Sequence, residues 1–165
     1  MLEQLTDVPS GVQGLRAIGT VSKRDYDNAF APLVEDAWQA GDRMRLLYEF
    51  GPQFDRLTPA ALVADAGLGA RYLRLLDGCA VVSDRAWLRD STSRIGAQMP
   101  CPVRVFTVAQ HDEALAWLAS LPARTVPSHR DIAAAYLGGT VAAICWFVSA
   151  CTARLHRSPR FKGPR

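Results

Sequence analysis

A chain of 165 residues with 49% hydrophobic and 21% charged residues has apolar material for one domain core and little for a second, which excludes wholesale disorder. Its net charge of +3 conceals a split: residues 1–121 hold 12 Lys/Arg against 15 Asp/Glu, a net of −3, whereas residues 122–165 hold seven against one, a net of +6. An acidic body offers no basic face to phosphates, which excludes nucleic acid as its partner.

The first residues alternate weakly about Leu2 and Leu5, and Pro9-Ser10-Gly11 reads as a turn. Residues 13–21 read as a second strand, with Leu15, Ala17 and Gly19 on one side, so the two strands are expected to form a hairpin. Ser22 with Asp25 three residues on resembles a capping box. The helix that follows puts Tyr26, Phe30, Leu33, Val34, Ala37 and Trp38 on one stripe. Pro32 removes the bond to the Asn28 carbonyl, so a kink is expected there, and Gly41 fits the left-handed position past the helix end.

In residues 43–50, Met44, Leu46, Tyr48 and Phe50 alternate with Arg43, Arg45, Leu47 and Glu49, the period of a strand. Gly51-Pro52 ends it, an aromatic-rich loop follows, and Thr58-Pro59 opens a helix over residues 58–76. Gly67 and Gly69 fall inside that helix, where close packing on the sheet explains them better than a phosphate cradle, which needs a strand before it and a helix after. Residues 78–83 are apolar on both faces, as in a central parallel strand. Asp84 is expected to cap a helix running to about residue 98, with Trp87, Leu88, Ile95 and Met99 inward. Residues 103–108 read as a last strand and 112–121 as a last helix with acids in its first turn. The order ββαβαβαβα implies an α/β fold, a mostly parallel five-stranded sheet flanked by four helices.

No motif of bond-making chemistry stands out. Cys79, Cys101, Cys145 and Cys151 form no C-x-x-C pair and have no His at zinc-ligand spacing, so they read as buried free thiols and no metal is expected. His111, His129 and His156 are scattered, with His111 local to a helix start; no G-x-S-x-G elbow is present, and Asp84 and Asp90 make no acid–base pair. The expectation is no catalytic residue, no cofactor and no enzyme. Tyr48, Phe50, Phe54 and Leu57 concentrate apolar surface at the carboxyl end of a strand, a candidate site for a small apolar or lipid ligand. The bland alternative is that they fill the gap between loop and helix.

Residues 122–131 read as a linker, and residues 132–153 form 22 positions without a charge, long enough for a bilayer-spanning helix though diluted by Gly138-Gly139, Thr140, Ser149 and Thr152. Residues 154–165 form a basic tail with Arg154, Arg157, Arg160, Lys162 and Arg165. The basic end favours the cytosolic side, as does a body whose opening MLEQLTDVPSG has neither the basic nor the apolar region of a secretory signal. A single span cannot place both there, so an interfacial or re-entrant segment, or a helix packed on another subunit, stays open beside a span. A reduced, cytoplasmic body with membrane contact through residues 132–165 is expected.

RLLYEFGPQF at the end of the third strand, CAVVSDRAWLR across the fourth strand and next helix, and MPCPVRVF before the last strand, in that order, make residues 1–121 resemble the SpoIIAA-like group of STAS domains. These domains share a fold with CRAL-TRIO lipid-binding domains. The resemblance implies a non-enzymatic regulatory or binding domain with a protein partner or an apolar ligand; a pure protein-interaction module without ligand is the alternative, and an uncharacterised enzyme the weaker one. It also implies a phosphorylatable Ser or Thr, in a D-[ST]-[ST]-G-like motif, opening the helix after the third strand. The matching place here reads Arg56-Leu57-Thr58-Pro59, so Thr58 keeps the hydroxyl while the flanking Asp and Gly are absent, and an ordinary capping threonine explains it as well.

Overall fold

The computed structural model describes residues 1–58, 60, 75–97, 99–122 and 137. The expected helix over 58–76 falls almost wholly outside them, as do the linker, the apolar run and the basic tail. Among the described residues no helix is long and apolar enough to cross a membrane.

Strands β1 (Leu2–Leu5), β2 (Val12–Ala17), β4 (Met44–Phe50), β6 (Leu76–Ser83) and β7 (Val103–Phe106) lie side by side in that order. β1 pairs with β2 antiparallel, as the hairpin reading requires, and the other pairings are parallel. Every crossover steps one place in the same direction. Strand order therefore never reverses, and this sheet has no switch point of the kind that opens a ligand crevice in doubly wound folds.

Two departures from the sequence reading share one cause. Residues 13–21 do not stay in one strand: Gly19 adopts φ +58° and its N–H donates to the Gln53 carbonyl at 2.7 Å. The chain leaves the main sheet there as β3 (Gly19–Val21) and pairs in parallel with β5 (Phe54–Leu57), a strand inside the stretch read as an aromatic loop. Four residues interrupted by Asp55-Arg56 carry too little alternation to signal a strand.

Helix α1 (Lys23–Asp25) runs through a π turn (Tyr26–Phe30) into α2 (Ala31–Ala40). The expected disturbance at Pro32 takes this form: Pro32 falls in the first positions of α2, and the Ala31 N–H bonds back five residues to Tyr26. Gly41 ends α2 at φ +69°, and the Asp42 N–H returns to the Ala37 carbonyl at 2.9 Å. Helix α3 (Ala86–Gly96) follows β6. The last expected strand stops at Phe106 instead of residue 108, because Thr107 turns the chain: its N–H and hydroxyl both donate to Gln110 Oε1, at 3.1 and 3.0 Å. A 3₁₀ turn (Val108–Gln110) then leads into α4 (His111–Ser120).

Alternation sorts the sheet into two cores. Leu15, Met44, Leu46, Phe50, Cys79 and Val81 pack with Tyr26, Phe30, Val34 and Leu88 on one face. Val12, Leu47, Ala80 and Val82 pack with Ala114 and Leu118 of α4 on the other. Trp38 and Trp87, both placed inward by their stripes, are instead 41% exposed. Cys79 and Cys101 are buried.

Candidate functional site

The carboxyl ends of β2, β4 and β6 align, with Arg16, Glu49 and Val82 in successive register. Because side chains alternate along β4, Tyr48 and Phe50 point to the first face and Glu49 to the second. The two faces of this rim differ in character.

On the first face the rings stack. Tyr48 and Phe50 centroids lie 4.2 Å apart, and Phe50 meets Phe54 edge-on at 4.8 Å. The Tyr26 hydroxyl, carried on the π turn, stands 2.9 Å from that of Tyr48. Arg85 holds Phe54 by donating to its carbonyl and by placing its guanidinium 5.4 Å from the ring centroid. Phe50 and Phe54 are 5% and 1% exposed; burial of each ring contributes about 1.5–3 kcal/mol, and each aromatic pair about 0.5–1.5 kcal/mol more. The structure thus brings together Tyr48, Phe50 and Phe54, and packs Leu57 against the same core. Thr58 follows β5 and donates its N–H to the Val21 carbonyl at 2.9 Å; the helix it was expected to cap lies outside the described residues.

On the second face three elements converge on one carboxylate. Arg16 Nη2, from β2, donates to Glu49 Oε2 at 3.0 Å, and His111 Nε2, from the start of α4, lies 3.6 Å from the same oxygen. His111 Nδ1 is 3.4 Å from Asp112 Oδ1. The Glu49 side chain is 10% exposed and that of Arg16 42%. Arg16 Nε and His111 Nε2 are buried atoms with no hydrogen-bond partner among the described residues. Sequence reasoning passed over this cluster, since Arg16 and Glu49 read as polar members of alternating strands and His111 as local to its helix. The available signal was phase: Glu49 falls in step with Leu47, which the sheet buries.

Between the faces the polar groups are committed to the backbone. Ser83 Oγ donates to the Phe50 carbonyl at 3.0 Å and accepts the Arg85 N–H at 3.2 Å, so its hydroxyl joins the ends of β4 and β6 and is not presented to His111 as a nucleophile. Asp84, expected to cap α3, accepts the Val108 N–H at 3.0 Å instead and ties the end of β6 to the 3₁₀ turn. Near the start of α1 the Ser22 N–H and hydroxyl each donate to Asp25 Oδ2 at 2.7 Å. The Ser22 backbone bond, then the hydroxyl and the nearby N-terminal ammonium, hold the Asp25 carboxyl below the usual carboxylate range against a smaller desolvation effect. Among the described residues no three His, Cys, Asp or Glu side chains are grouped to hold a metal. The rim holds a charged anchor drawn from three elements.

A family model described as SpoIIAA-like matches residues 12–119. Among solved structures, an uncharacterized protein of the DUF3478 family with a SpoIIAA-like fold, from Shewanella loihica PV-4, is 19% identical and superposes with a TM-score of 0.59 over 71% of this chain and 93% of its own. At that identity the likeness speaks for the fold alone. No curated protein matches the chain significantly.

Proposed function

Because the chain belongs to the SpoIIAA-like family, we propose that it is a regulatory or binding domain without catalytic activity of its own, and that the carboxyl-end rim of its sheet meets a protein partner. The observation that carries this reading is the Arg16–Glu49–His111 cluster. An arginine side chain held by a buried carboxylate while 42% exposed is an ordered anchor that loses little side-chain freedom on binding, and arginine is frequent among interface hot spots. Two finer features complete the proposal. The aromatic group Tyr48, Phe50, Phe54 and Leu57 holds an apolar small molecule if its rings part, a reading favoured by their contiguity. Residues 132–165, uncharged for 22 positions and then basic, hold the domain at a membrane. Thr58 is the position where the family resemblance puts a phosphoryl switch, though the flanking Asp and Gly of that motif are absent here.

The test is affinity capture of the full chain from its own cells, beside Arg16→Glu, followed by native mass spectrometry. Arg16→Glu is expected to weaken partner capture at least tenfold, about 1.4 kcal/mol or more, with the circular-dichroism spectrum unchanged. Equal capture by both proteins would contradict the rim assignment. An apolar adduct on the captured protein carries the ligand reading, and its absence counts against it.

A further inference from the structure

Arg85, which follows β6, is partly buried, yet none of the ion pairs among the described residues involves it. The nearest acids along the chain and on β5 are committed elsewhere: Asp84 accepts the Val108 N–H, and Asp55 accepts the Thr20 hydroxyl at 3.2 Å. A partly buried charge is ordinarily paired. Arg85 is given over instead to one residue, donating to the Phe54 carbonyl and lying 5.4 Å from the centroid of the Phe54 ring. A ring joined to a carbonyl through two saturated carbons has the outline of a 3-arylpropanoate, with a neutral carbonyl in place of the carboxylate. A carboxylate would bond that guanidinium more strongly than the carbonyl does.

Phe54 is also carried on a weakly supported strand. β3 and β5 pair outside the main sheet over three register positions, with an irregularity between Gly19 and Thr20, whereas β4 and β6 pair over seven. A two-stranded pair by itself is marginal in water. The bonds from the Gly19 N–H to Gln53 and from the Thr58 N–H to Val21, at 2.7 and 2.9 Å, close its two ends, and Asp55 and Arg56 between them are exposed. The inward anchors are Leu57 and the Phe54 ring, which is 1% exposed and set edge-on against Phe50. Lifting residues 51–58 bares Phe50 and vacates a ring-sized place between it and Arg85.

We propose that residues 51–58 open as a unit away from β4, and that the place Phe54 leaves takes an aromatic carboxylate, its ring against Phe50 and its carboxylate on Arg85. This rests on the apolar-ligand reading of the aromatic group given above, to which it adds the way in and the charge of the ligand. Binding to an opened minor state weakens apparent affinity by the fraction open, so a poorer plug than phenylalanine strengthens binding.

The full chain is titrated by calorimetry with 3-phenylpropanoate and with 3-phenylpropanamide, which keeps the ring and loses the charge, and amide hydrogen exchange is followed by NMR. The acid is expected to bind at least tenfold more tightly than the amide. Phe54→Leu is expected to bind the acid at least tenfold more tightly than wild type does, and Arg85→Gln to bind acid and amide alike. The Gly19 and Thr58 amides are expected to exchange at least tenfold faster than those in the middle of β4 and β6, and faster again with the acid bound. Gly19 and Thr58 exchange that the acid leaves unchanged overturns the opening. Equal binding of acid and amide by the wild-type chain, a comparison that needs no variant to fold, overturns the carboxylate and leaves the apolar-ligand reading standing. Binding of neither compound, by wild type or by Phe54→Leu, overturns both.

Discussion

Glu49 shows how much a single side chain can decide without leaving a mark in the sequence. As one of the polar positions in an alternating strand it looks solvated, yet the sheet buries it and gives it Arg16 and His111, from elements far along the chain. Glu49→Gln is expected to cost about 1–3 kcal/mol in urea denaturation, because the Arg16 guanidinium loses its carboxylate partner. Arg16→Ala should cost at least as much, since it leaves the buried Glu49 carboxylate without its guanidinium. Asp25, by contrast, was readable from spacing alone, the Ser-x-x-Asp pattern being local. Its carboxyl is held below the usual carboxylate range, so its contribution is present above the ordinary aspartate value of about 4 and is lost as pH falls through the lowered one. Asp25→Ala is therefore expected to cost about 0.5–1 kcal/mol at pH 7. That difference from wild type should shrink in denaturation curves collected below about pH 4.

Elements with strong local signals were legible, and those defined by distant partners were not. β4 and β6 announce themselves by alternation and by a continuous apolar run, and Gly41 by its place after a helical stripe. β5 exists because Gly19 turns β3 toward it, and no periodicity within Phe54–Leu57 encodes that. The π turn lies between these cases: Pro32 signalled a disturbance, but its position upstream of the proline depends on how Tyr26 and Phe30 seat in the core. Gly78 belongs to the illegible class as well. In the sequence it merely begins an apolar strand, whereas in the fold its missing side chain makes room for Leu121. Gly78→Ala is expected to cost about 1–3 kcal/mol by overpacking, read as a lowered midpoint in thermal unfolding. A wild-type midpoint would mean that Leu121 repacks freely and that the chain is not fixed at the amino end.

At the scale of the whole molecule, the sheet is wound in one direction, with α2 and α3 on one face and α4 on the other. The α/β class and the family resemblance were visible in the order of elements and in three sequence blocks, because both depend on patterns that run along the chain. The rim cluster was not, because it depends on which strand ends are neighbours. The Arg16–Glu49–His111 cluster lies at that rim, which faces away from the end where the chain continues past Leu121. The central claim, that the rim is the partner-binding face, is open to site-specific photo-crosslinking in the native cell. A benzophenone amino acid is placed at exposed rim positions Arg56 or Asp112, or at the exposed amino-end positions Asp7 or Asp42. A discrete adduct of one partner is expected from Arg56 and Asp112, weakened by Arg16→Glu, and none from Asp7 or Asp42. Adducts confined to the amino-end positions, or rim adducts indifferent to Arg16→Glu, would contradict it.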